Sequence, residues 1–141
     1  MKVAITDYTF PDLQIEKQIL ESDGHEVVAW KEKKSAAELP ELVHDADAVI
    51  TQFAPMNADV IATLQKARVI VRYGIGVDNV DLEAARKRNI PVCNVPGFCI
   101  DEVADHTLSF LLACTRQVIP NTLLLREGQW GLATPSTGCP P

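Results

Sequence analysis

The sequence predicts an α/β protein in which helices cover both faces of a parallel sheet. Short β-branched runs alternate with helix-patterned stretches across residues 2–93, and the connections are too long for hairpins. After Cys93 the alternation stops and longer helical patterns follow, which predicts a helical arm behind the sheet.

The five expected strands are residues 2–6 (KVAIT), 25–29 (HEVVA), 48–51 (AVIT), 69–72 (VIVR) and 90–93 (IPVC). Leu13, Ile15, Ile19 and Leu20 read as one helix face ahead of Gly24, a natural helix stop. Ser35 with Glu38 three residues on is a capping-box signature before Leu39 and Leu42. Asn57 can cap a helix carrying Val60, Ile61 and Leu64. Asp81 can cap a short helix that ends in Arg86, Lys87 and Arg88, cations suited to the negative end of its dipole. Five such β-α repeats fit an open doubly wound sheet, for which the flavodoxin-like order 2-1-3-4-5 is available. Spacing alone does not select that order.

In the arm, a helix is expected over residues 100–115, with Asp101 and Glu102 at its positive end. Val103, His106, Thr107, Phe110, Leu111 and Cys114 form one stripe. Pro120 is expected to break it, with a second helix running through residues 123–126 to Gly128. Residues 131–141 (GLATPSTGCPP) have no periodicity and read as a loop.

The 141 residues suit one domain with an appendage, and 47% hydrophobic with 23% charged residues is ordinary for a globular protein. A net charge of −6 and the lack of a long basic block argue against nucleic acid. The nearest basic cluster, residues 31–34 (KEKK), reads as a solvated loop. The N-terminal apolar run is too short for a signal peptide, and no apolar run reaches the ~18 residues of a membrane span. A cytoplasmic protein with no membrane partner is therefore expected. The spacing of Cys93, Cys99, Cys114 and Cys139 matches no zinc pattern, so small buried or half-buried free thiols are expected.

The fourth strand runs into Gly74-Ile75-Gly76. A dinucleotide fingerprint needs a third glycine and an acid about twenty positions later. Here Asn79 takes the third glycine's place and residues 94–96 (NVP) hold no acid, so a pyrophosphate turn is not expected. Paired glycines at the carboxyl end of a strand either permit a tight turn or expose N–H donors to an anion. Local chemistry leaves both open.

From Arg72 the chain follows the pattern R-x-G-x-G-x-D-N-[IV]-D, then N-x-P at residues 94–96, then E-x-A-[DE]-H-[TA]-L at residues 102–108, then R-x-G-x-W at residues 126–130. In that order, these motifs resemble the NAD-dependent D-isomer-specific 2-hydroxyacid dehydrogenases, in the branch with phosphoglycerate dehydrogenases and C-terminal-binding-protein relatives. The likeness covers nearly the whole chain. It implies a flavodoxin-like substrate domain over residues 1–99. Residues 100–141 then form a helical arm and tail that would begin an NAD-binding domain.

The resemblance also implies that Ile75 and Gly76 offer backbone N–H groups to a substrate carboxylate, with Ile75 near the cofactor. Arg72 adds positive charge near the cleft or forms an outward salt bridge. Phe98 lines the substrate pocket or simply packs. Asp78, Asn79 and Asp81 are expected to stabilise the turn and cap the helix. The family's fingerprint glycines, ribose-binding acid and catalytic arginine, glutamate and histidine follow the R-x-G-x-W segment. The three histidines here, His25, His44 and His106, do not replace the catalytic one. The expectation is a truncated, inactive portion holding no catalytic residue and no metal, with weak or no NAD binding and a homodimer through residues 101–130.

Rival classes fit less well. A receiver domain needs clustered acids after strand one and a lysine after strand five, where this chain has Asp7 alone and Cys93. A flavodoxin needs a phosphate loop where residues 7–11 (DYTFP) hold no glycine. A non-catalytic ligand-sensing or interaction module on the same fold is the alternative function.

Overall fold

A computed structural model describes residues 1–130. It divides into two compact units, Met1–Phe98 and a second beginning at Cys99.

The first unit is a five-stranded parallel sheet in the order β2-β1-β3-β4-β5, the flavodoxin-like arrangement. The strands are β1 (Lys2–Ile5), β2 (Glu26–Ala29), β3 (Ala48–Thr51), β4 (Ile70–Arg72) and β5 (Val92–Cys93). Between them run α1 (Gln14–Ser22), α2 (Leu39–Val43), α3 (Ala58–Thr63) and α4 (Leu82–Lys87). Ala4, Ile5, Val49 and Ile70 on the three central strands are fully buried. Leu39 and Val43 of α2 and Val60 and Ile61 of α3 close over them. These helices are short and survive by burying that apolar face, since isolated helices of one or two turns are unstable in water.

The caps explain where the helices begin and end. Asn57 and Asp81 accept hydrogen bonds from the Val60 and Ala84 N–H groups at 3.0 and 2.9 Å, as their positions predict. Gly24, at φ +76°, ends α1, and the N–H groups of Gly24 and His25 return to the Glu21 and Leu20 carbonyls. The cations after α4 have separate fates. Arg86 pairs with Glu83 at 3.0 Å, whereas Arg88 donates to the Ala62 carbonyl at 2.7 Å and to that of Leu64, tying the end of α4 to the end of α3.

Four expectations need correction. Ile15 and Ile19 do not share the inward face of α1: they are 72% and 59% exposed, while Leu13 is buried. At 100° per residue they sit about 200–240° around from Leu13, whereas Glu16 and Leu20 fall on its side. The Ser35–Glu38 box forms only in part. The Glu38 carboxylate accepts from the Ser35 N–H and hydroxyl at 3.1 and 2.6 Å, which lowers its pKa, but Glu38 itself is the N-cap of α2. The cysteines are less buried than expected, with Cys93 and Cys114 exposed and Cys99 intermediate. Cys93 ends the edge strand, and Cys139 lies outside the described residues.

The fourth correction falls in the second unit, which contains α5 (Ile100–Thr115) and α6 (Val118–Arg126). The break between them is at Gln117, at φ +51°, and Pro120 lies in the first turn of α6. Proline lacks only an N–H that has no partner at that position anyway. Asp101 and Glu102 occupy the first turn of α5 as expected. The stripe residues Val103, Phe110 and Leu111 are exposed. Among the described residues no single helix is long and apolar enough to cross a membrane.

Candidate functional site

Parallel strands bring the ends of β1, β3 and β4 to one edge of the sheet. Thr51 is in register with Arg72, and the ladder runs one bond further on each side, from the Thr6 N–H to the Ile50 carbonyl and from the Tyr73 N–H to the Thr51 carbonyl, both at 2.9 Å. The loops leaving this edge start at Asp7, Gln52 and Tyr73.

The 74–76 loop turns tightly. The Gly74 N–H bonds back to the Arg72 carbonyl at 2.9 Å, and φ at Gly74 is +140°, a conformation that L side chains avoid. A second constraint is spatial: a Cβ on Gly74 would stand 2.0 Å from Arg72 Nη1. Glycine therefore lets the Arg72 guanidinium fold against the turn. The loop is held from the other side by the Val95 N–H, which donates to the Gly74 carbonyl, and by Asn94 Nδ2, which donates to the Ile75 carbonyl at 2.7 Å. The carbonyls are thus engaged, whereas the Ile75 and Gly76 N–H groups have no hydrogen-bond partner among the described residues. Both residues are exposed, Ile75 to 41%.

Arg72 forms no salt bridge among the described residues. Its Nε donates to the Gln52 carbonyl at 3.2 Å and its Cζ lies 5.6 Å from the centre of the Phe53 ring. It is therefore a held cation without a counter-charge beside the glycine turn. Tyr73 points elsewhere: its hydroxyl donates to Glu16 on α1 at 2.9 Å, and Phe10 meets its ring edge-on at 5.3 Å. Burial, reinforced by Glu16, pushes the Tyr73 phenol well above its ordinary pKa, so it serves as a neutral tether.

The D-N-V-D run does more than stabilise its own turn. Asn79 Nδ2 donates to the Ala54 carbonyl at 2.9 Å, and Met56 exchanges backbone bonds with Asn79 and Asp81, locking the loop after β4 to the loop after β3. Asp81 caps α4, as expected. The Asp78 carboxylate lies 3.3 Å from where a Cβ on Gly76 would be. Phe98 is 59% exposed and its N–H donates to the Val95 carbonyl at 3.3 Å, so it does not pack into the core of its unit.

Sequence reasoning missed Asp7, Gln52 and Phe53. Asp7 is 2% exposed, and its carboxylate accepts the consecutive N–H groups of Gln52, Phe53 and Ala54 at 3.1, 2.8 and 3.1 Å. The only local signal was an acid placed directly after a β-branched run. These three N–H donors lie more than forty residues away. Among the described residues no group of histidines, cysteines and acids is arranged to hold a metal.

Comparison with known proteins places this geometry in a family. The profile of the D-isomer specific 2-hydroxyacid dehydrogenase, catalytic domain, matches residues 3–134. A glyoxylate reductase of Korarchaeum cryptofilum is 33% identical over 111 residues, covering 77% of this chain and 33% of that protein. A D-3-phosphoglycerate dehydrogenase of Methanocaldococcus jannaschii is 36% identical over 131 residues, covering 92% of this chain and 24% of that one. The solved 3-phosphoglycerate dehydrogenase of Entamoeba histolytica with bound NAD+ superposes with a TM-score of 0.72 at 33% identity, covering 82% of this chain and 39% of that chain. The chain thus spans a third or less of these two curated relatives. Its sheet order, its glycine turn and the profile match over nearly its whole length agree, and the chain belongs to the D-isomer specific 2-hydroxyacid dehydrogenase family.

Proposed function

We propose that residues 72–76 take the carboxylate of a small 2-hydroxy or 2-oxo acid, as the substrate-side wall of an NAD-dependent dehydrogenase. The observation that carries this is the pair of adjacent N–H groups of Ile75 and Gly76, unbonded among the described residues, beside Arg72. An anion there gains charge-assisted bonds of roughly 1.5–3 kcal/mol each, offset by the cost of association, so a Kd of about 1 mM is expected for the isolated wall. Arg72 supplies long-range attraction. Phe98, exposed beyond β5, is assigned to the apolar side of the pocket.

In the whole enzyme the nicotinamide would exchange a hydride with the carbon bearing the hydroxyl. The described residues do not build a seat for the dinucleotide's pyrophosphate. The β1–α1 connection has no glycine, and the glycine pair after β4 continues into Asn79. Ile75 is the one residue assigned to contact with the cofactor, through its exposed side chain. Nor does the first unit offer a histidine at the carboxyl edge: His25 precedes β2, and His44 follows α2. On this reading the chain by itself binds the acid without turning it over.

The test combines titration calorimetry with NADH oxidation, using glyoxylate, hydroxypyruvate and larger 2-oxo acids. Binding without NADH consumption is expected. Absence of heat with every acid overturns the carboxylate reading, and turnover overturns the assignment of the chemistry to residues outside this chain.

Two further parts of the proposal concern setting. The free thiols of Cys93, Cys99 and Cys114 suit a reducing cytoplasm. The exposed Val103, Phe110, Leu111, Ile119 and Leu123 of α5 and α6 suit a second copy of the chain, because helices this apolar are normally covered. Sedimentation should give a dimer, and a monomer at high concentration contradicts it.

A further inference from the structure

Asp7 touches none of the residues assigned to the substrate, yet the structure routes its influence to one of them. Its Oδ1 accepts the N–H groups of Gln52 and Ala54 and the Thr6 hydroxyl, the last at 2.8 Å, and its Oδ2 accepts the Phe53 N–H. This fixes the backbone of residues 52–54. The loop then presents two groups to Arg72, the Gln52 carbonyl that accepts Nε and the Phe53 ring beneath Cζ. The Gln52 side chain reinforces the arrangement from behind, its Oε1 accepting the Thr9 N–H at 2.7 Å. On the far side, the guanidinium fills the space left by the missing side chain of Gly74.

We propose that Asp7 is a positioning residue for acid binding: by clamping residues 52–54 it fixes the Arg72 guanidinium against the Gly74 turn. This rests on the reading that residues 72–76 take a carboxylate. Asp7→Asn is the informative variant. Its amide oxygen can keep the bonds of Oδ1, but its NH2 group faces the Phe53 N–H, donor against donor, and releases the ring that carries Arg72. Phe53→Leu removes the ring and leaves the clamp intact, so it tests the same route if Asp7→Asn does not fold. Thr6→Val removes the hydroxyl bond to Asp7 and the longer one to the Ile50 carbonyl at 3.4 Å, and leaves the three loop N–H bonds to Asp7.

Two readouts separate this inference from the reading beneath it. The first needs no ligand: the Arg72 Nε–H resonance, held against the Gln52 carbonyl and near the Phe53 ring, shifts and exchanges faster with solvent in Asp7→Asn and in Phe53→Leu. Thr6→Val leaves it in place. The second is the Kd for glyoxylate, which rises about tenfold in Asp7→Asn and about threefold in Phe53→Leu, and changes in neither once Arg72 is replaced by Met. If the parent chain does not bind glyoxylate, the carboxylate reading fails, and the resonance alone decides whether Asp7 positions Arg72. An unmoved resonance in both variants, or the same fold-change with and without Arg72, overturns the inference.

Discussion

Two loops leave the same edge of the sheet from neighbouring strands, and they treat their amides in opposite ways. After β3, the N–H groups of Gln52, Phe53 and Ala54 converge on the carboxylate of Asp7. After β4, the N–H groups of Ile75 and Gly76 meet no acceptor among the described residues, although the Gly74 and Ile75 carbonyls on the same turn are bonded. The first loop shows how this fold binds a carboxylate when the chain supplies one. The second has the same kind of donors and a held cation beside them, and its own acid, Asp78, accepts from neither the Ile75 nor the Gly76 N–H. An unpaired N–H at a buried site is costly, and at an exposed one it is solvated and ready for exchange with a ligand. Under the proposed reading, the difference between the loops separates structure from binding.

Substitutions can break or sharpen that contrast. The largest effect is expected at Asp7→Ala, which strands three loop N–H groups at once. Urea unfolding should report a loss of roughly 3–5 kcal/mol, and a loss below ~1 kcal/mol would mean that the clamp is ornamental. Gly74→Ala comes next, since the added methyl meets both an unfavourable φ and the guanidinium. About 2 kcal/mol of stability should go, together with the Arg72 position seen in a crystal structure of the variant. Gly76→Ala should leave stability within ~0.5 kcal/mol, because only the movable Asp78 side chain stands close, yet raise the Kd for a 2-oxo acid about tenfold. Asn57→Ala and Asp81→Ala supply the smallest effects and the controls. Each removes the cap of the helix that follows one loop, costing about 1 kcal/mol with no change in Kd.

The parts of this architecture carried by local rules were legible in the sequence. Alternation of β-branched runs and capped helices located every strand to within two residues, and Asn57 and Asp81 cap as their chemistry requires. The glycine pair was visible as bare backbone, but the bonds from Asn94 and Val95 that engage its carbonyls, and the lack of any acceptor for its N–H groups among the described residues, come from the folded chain and no local rule anticipates them. Asp7 was harder still. A lone acid at a strand end has no readable partner until the sheet brings β3 alongside β1. Arg72 fell between the two readings offered for it, because its resting place is made by the absence of a side chain at Gly74 and by a ring from another strand's loop. The Gln117 break escaped because proline drew attention to a position where a helix tolerates it.

The most direct test of the carboxylate wall is a titration of the 15N-labelled chain with glyoxylate, followed amide by amide. The account predicts saturable shifts at Ile75 and Gly76 with a common Kd, while Gln52, Phe53 and Ala54 stay nearly still because Asp7 already occupies them. If Ile75 and Gly76 do not move, or if the shifts appear at the 52–54 loop instead, the turn after β4 is a connection and not a binding site.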